Sequence, residues 1–207
     1  MKRIINLLIA ISFIAVLLSG CSHVKEIVPI KIAVVSFSVP EDSANVKEIQ
    51  GWWFSARDVY RNQNLGELYA DAVAEELKQS PYFDVYPRTD LKYYFAKKKE
   101  RLKKEYPDLT IEEVDKILSE ISMTDVAKEI GVDKLITGEI TTAYMSHQRT
   151  IHWWKSVVAA KMRVVDGKTG AVEWEMSKKT KKNLLSQLST AEINAHKMLK
   201  KMKKKYR

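Results

Sequence analysis

The chain has 207 residues, a formal net charge of +9 and a single cysteine. One cysteine excludes an intramolecular disulfide, so packing alone must stabilise the fold. The charge is unevenly spread: residues 178–207 hold eleven Lys or Arg against Glu192 alone, and the body before them is mildly acidic. The basicity therefore belongs to the tail and does not mark the body as a binder of nucleic acid.

Lys2 and Arg3 precede an apolar run from Ile4 to Leu18. That length suits a signal-peptide core and is short for a bilayer span. Leu18-Ser19-Gly20-Cys21 then looks like a bacterial lipobox. The expectation is a signal peptide over residues 1–20, with Cys21 as the lipidated first residue of the mature protein. Several acyl chains on one cysteine would anchor it lastingly, where one chain binds only marginally. Residues 21–30 read as a tether.

Lys31 to Val39 is a β-branched run of strand length. Residues 40–64 read as a long irregular stretch that contains Trp52, Trp53 and Phe54. Asn64 with Glu67 has capping-box spacing and opens a helix whose stripe is Leu65, Leu68, Tyr69, Ala72, Val73 and Leu77. Tyr82 to Tyr86 alternates as a strand. Thr89 or Asp90 caps a second helix that ends before Pro107. Thr110 with Glu113 caps a third, with Ile111, Val114, Ile117, Leu118 and Ile121 expected inward. A short helix from Thr124 to Ile130 ends at Gly131, a left-handed terminator. Asp133–Tyr144 and Ile151–Val165 read as strands. A tight turn at Asp166–Gly170 leads to Ala171–Met176, with Val172, Trp174 and Met176 expected on one face. Ser189 with Glu192 caps a basic amphipathic helix within residues 184–207. The fold class is α/β: a single mixed sheet of about five strands packed by helices, over residues 31–183, followed by that C-terminal helix.

The order of these motifs resembles a known family. The strand IAVVSF, the helix opening at Asn64-Leu65-Gly66-Glu67, the step Gly131-Val132-Asp133-Lys134-Leu135-Ile136-Thr137-Gly138, and the hairpin Asp166-Gly167-Lys168-Thr169-Gly170-Ala171-Val172-Glu173-Trp174 occur as in the CsgG/LpoB/TolB N-terminal-domain-like bacterial lipoproteins. The resemblance implies an anticodon-binding-domain-like fold and a non-catalytic role in an envelope machine at the periplasmic face of the outer membrane. It also raises a CsgG-like subunit of a secretion channel. A membrane hairpin needs two alternating strands of ~9–11 residues. Residues 97–120 are charged and helical in pattern, and residues 143–165 could supply one imperfect hairpin carrying Arg149, His152 and Lys155. That argues against a pore.

The chain carries no G-x-S-x-G, Walker A or H-E-x-x-H pattern. His147, Gln148, Arg149 and His152 cluster, but zinc would need further ligands at workable spacing. No catalytic residue, metal or cofactor is expected. Two surfaces remain. Trp52, Trp53, Phe54, Trp153 and Trp154 form two aromatic groups, and such side chains favour protein interfaces. Lys200, Lys201, Lys203, Lys204, Lys205 and Arg207 form a basic run suited to an anionic surface. The expected partners are a bilayer through acylated Cys21, another envelope protein and, as an option, further copies of the chain.

Overall fold

A computed structural model describes residues 27–39, 57–60, 64–148 and 153–206, with the backbone alone at 57–60 and 148. Cys21, Trp52, Trp53, Phe54 and Arg207 lie outside the described residues. The strands are β1 (Ile30–Ser38), β2 (Arg57–Tyr60), β3 (Phe83–Val85), β4 (Lys134–Gln148), β5 (Trp153–Asp166) and β6 (Val172–Asn183). The helices are α1 (Leu65–Lys78), α2 (Arg88–Glu105), α3 (Ile111–Ser119), α4 (Met123–Ile130) and α5 (Gln187–Met202). Six strands form one mixed sheet, five of them in the order β3-β1-β4-β5-β6, with β1 parallel to β3 and β4 and the rest antiparallel. The short β2, inside the stretch expected to be irregular, pairs with the far end of β4.

The α/β class and the mixed sheet are those expected. Helices α1 and α5 cover one face over Ile32, Val34, Ile136, Ile140, Val158 and Met162. Helices α2 and α4 cover a smaller area on the other face around Ala33, Leu135, Val126 and Ala127. Both faces of β1 are thus buried, which is why its β-branched run is continuous rather than alternating.

Several local expectations are corrected by tertiary partners. Asn64 precedes α1 but makes no side-chain cap. Glu67 instead accepts from Arg88 Nη2 at 2.6 Å, while Arg88 Nε donates to Asp71 at 2.9 Å and Nη1 to the Val34 carbonyl at 2.7 Å. Helix α2 starts at Arg88 behind Pro87, so neither Thr89 nor Asp90 caps it. Thr110 and Glu113 do form the reciprocal capping box of α3. Only Val114 of α3 is buried, however; Ile111 and Ile117 are exposed, because α3 packs on α2 rather than on the sheet. A bulge at Glu173 puts Val172 opposite Val165 and Trp174 opposite Val164, so these two do not share a face and Val172 is exposed. Helix α5 is capped by Ser186, whose hydroxyl accepts from the Ser189 N–H at 3.0 Å.

The Arg88 cluster sets an acid dependence. Partial burial pushes the Asp71 carboxyl up, but the hydrogen bonds and charges of Arg88 and Lys92 outweigh it and hold the group below the ordinary range. Glu76 is likewise lowered, burial being outweighed by Lys203 and His196. A carboxyl with a lowered folded-state pKa contributes stability above its unfolded value and loses it as pH falls through the folded value. Stability should therefore be level in these two groups from neutral pH to about 5 and fall below about 4. Urea midpoints between pH 7 and pH 3 measure this, and Arg88→Met should flatten the acid limb. An acid limb of unchanged steepness in that variant would remove Asp71 from the explanation.

Candidate functional site

The sheet has two distinct ends, and the candidate residues divide between them. At the first end β1 begins: Ile30 pairs with Phe83, Ile32 with Lys134, and Lys134 with Asp166. The last residues described fold back to this end. The Tyr206 ring packs edge-on to Phe83 at 6.1 Å, and its hydroxyl donates to Glu173 at 2.8 Å. Lys203 Nζ donates to the Glu76 carbonyl at 2.7 Å and to its carboxylate at 3.0 Å, and Lys205 donates to the Glu173 carbonyl. Lys203 and Lys205 thus latch the tail onto the body. Lys200, Lys201 and Lys204 are exposed and make no ion pair among the described residues.

The second end is the tip of the β4–β5 hairpin. Strand β4 has 15 residues, which at ~3.3 Å each puts this tip about 50 Å from the first end. Trp153 and Trp154 open β5 there, opposite Gln148 and His147. Neither ring is in the core: Trp153 is 41% exposed, and Trp154 stacks on His147 with ring centres 4.0 Å apart and planes at 18°.

Sequence reasoning missed the neighbours of this pair. The Leu184 N–H donates to the Trp154 carbonyl at 2.9 Å, which brings the β6–α5 junction to the tip. Leu184 is 63% exposed, and Leu185 and Leu188 are 37% exposed. Leu184 is also the one non-glycine residue with positive φ, +59°, among those described. A bulky residue in that region costs ~1 kcal/mol. The readable signal was an adjacent leucine pair just before a serine helix cap, where turn residues are the norm.

The charge near the tip was also misplaced by sequence reasoning. Lys178, Lys179, Lys181 and Lys182 belong to β6 and not to a tail. The first half of β6 is neutralised, Glu173 by Lys134 and Glu175 by Lys161 and Arg163. In the second half Lys178, Lys181 and Lys182 make no ion pair among the described residues, nor does Lys155 across from Asn183.

Among the described residues no group of three His, Cys, Asp or Glu is placed to hold a metal. One surface depression is lined by Thr124, Asp125, Lys128, Gly131, Gly167 and Lys168. Among the described residues, no helix is long and apolar enough to cross a membrane.

No family model and no curated protein matches the chain. Solved structures do. Lipoprotein GNA1162 from Neisseria meningitidis superposes with a TM-score of 0.51 at 16% identity, over 85% of this chain and 99% of that one. The chain shares the fold of this lipoprotein. A PelC dodecamer from Paraburkholderia phytofirmans gives 0.50 at 13% identity, over 83% of this chain and 86% of that one. The LpoB C-terminal domain from Salmonella enterica is a looser match, 0.38 at 10% identity over 74% and 85%. At these identities the likeness speaks to fold alone, and it agrees with the α/β class and single mixed sheet expected from the sequence.

Proposed function

We propose that this protein is a lipid-anchored, non-catalytic adaptor at the periplasmic face of the outer membrane, holding its anchor at one end of the sheet and a protein partner at the other. The observation that carries this reading is the two-ended layout. The chain enters β1 from the Cys21 side at the end where Lys200, Lys201 and Lys204 are exposed. The tip with Trp153, Trp154 and Leu184 lies at the other end. A tether of residues 22–29, fully extended, spans at most ~30 Å. It keeps the lysine end near the acylated membrane and turns the tip away from it. Trp52, Trp53 and Phe54 belong to the same partner surface in this reading.

The membrane half is tested with the unacylated chain and vesicles. Each lysine near an anionic surface contributes up to ~1 kcal/mol. Lys200, Lys201 and Lys204 changed together to Ala should weaken binding to anionic vesicles by roughly thirtyfold, about 2 kcal/mol, at low salt, and leave neutral vesicles unaffected. Equal affinity of variant and parent for anionic vesicles would remove the tail from membrane contact.

A second reading is an oligomeric ring, favoured by one observation: the PelC of like fold was solved as a dodecamer. Within that reading a CsgG-like channel is the less supported form, since residues 97–119 lie largely in helices α2 and α3 and leave the β4–β5 hairpin to line any pore. The mass of the acylated protein in detergent separates the two. A monomer supports the adaptor, and a closed ring of many copies supports the assembly subunit.

A further inference from the structure

Strand β6 ends the sheet. Among the described residues no strand pairs with its outer edge, and the outward backbone groups of Thr180 to Asn183 are open to another strand, while the Lys178 carbonyl already accepts from Asn194. Open edges of this kind are docking templates unless they are blunted. Three features define what this one admits. Among the described residues Lys178, Lys181 and Lys182 of its second half make no ion pair, with Lys155 beside them, while the glutamates of its first half are neutralised by Lys134 of β4 and by Lys161 and Arg163 of β5. The lysines alternate, Lys178 and Lys182 on the face toward α5 and Lys181 on the other, so they flank the edge from both sides rather than forming one flat basic face. The edge also runs directly into exposed Leu184 and Leu185, where the Leu184 N–H donates to the Trp154 carbonyl one residue from exposed Trp153.

We propose that the edge of β6 from Thr180 to Asn183 receives an extended, acidic segment of a partner protein as an added strand, with an apolar residue of that segment seated on Leu184, Leu185 and Trp153. This rests on the adaptor reading and names the chemistry of its partner. Charge complementarity selects the occupant. Two copies meeting edge to edge would oppose lysine rows, which repel. A lipid surface would meet the charge but leave the strand's N–H and C=O groups without partners. An acidic strand meets both needs. Asn194 holds the edge ready: its side-chain amide donates to the Lys178 carbonyl at 2.9 Å and to Thr180 Oγ1 at 3.0 Å, fixing this half of β6 from beneath.

The test uses the full-length chain in detergent micelles and three synthetic nonapeptides. One alternates Glu with Val and Leu. The second is identical but N-methylated at alternate residues, which keeps the charge and removes donors along one edge. The third has Lys in place of Glu. The acidic peptide should bind and slow amide exchange at residues 178–183 at least tenfold. The N-methylated and lysine peptides should each bind at least tenfold more weakly. Lys178→Glu, Lys181→Glu and Lys182→Glu together should reverse the preference toward the lysine peptide. Equal binding of the N-methylated peptide would overturn strand addition in favour of charge alone. Protection of the same amides by anionic vesicles would overturn it in favour of a lipid. A photo-crosslinker at position 153 in cells separates the two levels. Crosslinks to a protein together with failed peptide binding would sink the strand chemistry and leave the adaptor reading. Peptide binding with no protein crosslink at the tip would count against the adaptor reading itself.

Discussion

Gly138→Ala is expected to cost about 3 kcal/mol or more, the upper end of overpacking in a core. Gly138 lies in β4 opposite Met162, next to Phe37 on β1. A methyl there would overlap the Lys161 carbonyl oxygen and come within 2.6 Å of Phe37 Cε1. The carbonyl is part of the β5 backbone and cannot step aside. The Phe37 ring cannot retreat either, because it packs on Tyr69 with centroids 4.8 Å apart and sits in the main core. Domains of this size are stable by 5–15 kcal/mol, so one methyl could consume a large part of the total. Urea denaturation followed by tryptophan fluorescence measures it, with Gly131→Ala as the contrast. Gly131 has φ +73° and open space around its Cα, so Ala there should cost only ~1 kcal/mol, from backbone strain. A Gly138→Ala protein within 1 kcal/mol of the parent would mean that β1 and β5 yield where this packing says they are fixed.

The same glycine shows what the sequence could and could not tell. The motif around Gly138 was legible as a strand entering a sheet. The reason for glycine was not, because it lies in the Lys161 carbonyl of β5 and the Phe37 ring at the β1 bulge, contacts made only once the sheet is assembled. Signals closed within a few residues survived into the structure: the Thr110–Glu113 box and the left-handed stop at Gly131 are both present. Signals with a competing distant partner did not, and Glu67 left its cap position for Arg88. Periodicity gave α3 an inward face but not the absence of a sheet beneath it. The partner surface was half visible. Tryptophan pairs stand out in any sequence, whereas a lysine run reads as a tail, since lysine is poor in strands, and only the pairing with β5 reveals it as an edge.

Asn194 is where stability and that edge meet, and Asn194→Leu is expected to cost about 3 kcal/mol. The residue is fully buried on α5. Its oxygen accepts from the Tyr69 hydroxyl at 2.7 Å, and its nitrogen donates to the Val158 carbonyl at 3.2 Å as well as to Lys178 and Thr180. One side chain therefore ties α1, α5, β5 and β6 together. Leucine fills the volume but leaves several buried polar groups short of a partner, each costing ~1–3 kcal/mol where no water reaches. Burial holds the Tyr69 phenol protonated, far above its ordinary range, so it cannot escape the loss by ionising. Tyr69→Phe alone should cost less, about 1 kcal/mol, because Asn194 keeps its three contacts to the sheet. The double change should cost less than the sum of the two, since both remove one shared hydrogen bond. Native-state amide exchange adds the functional readout. In Asn194→Leu, residues 178–183 should exchange faster by more than global destabilisation accounts for, and the acidic peptide should bind more weakly. A variant that loses stability uniformly, with no excess opening of this half of β6, would show that Asn194 supports the fold without preparing the edge.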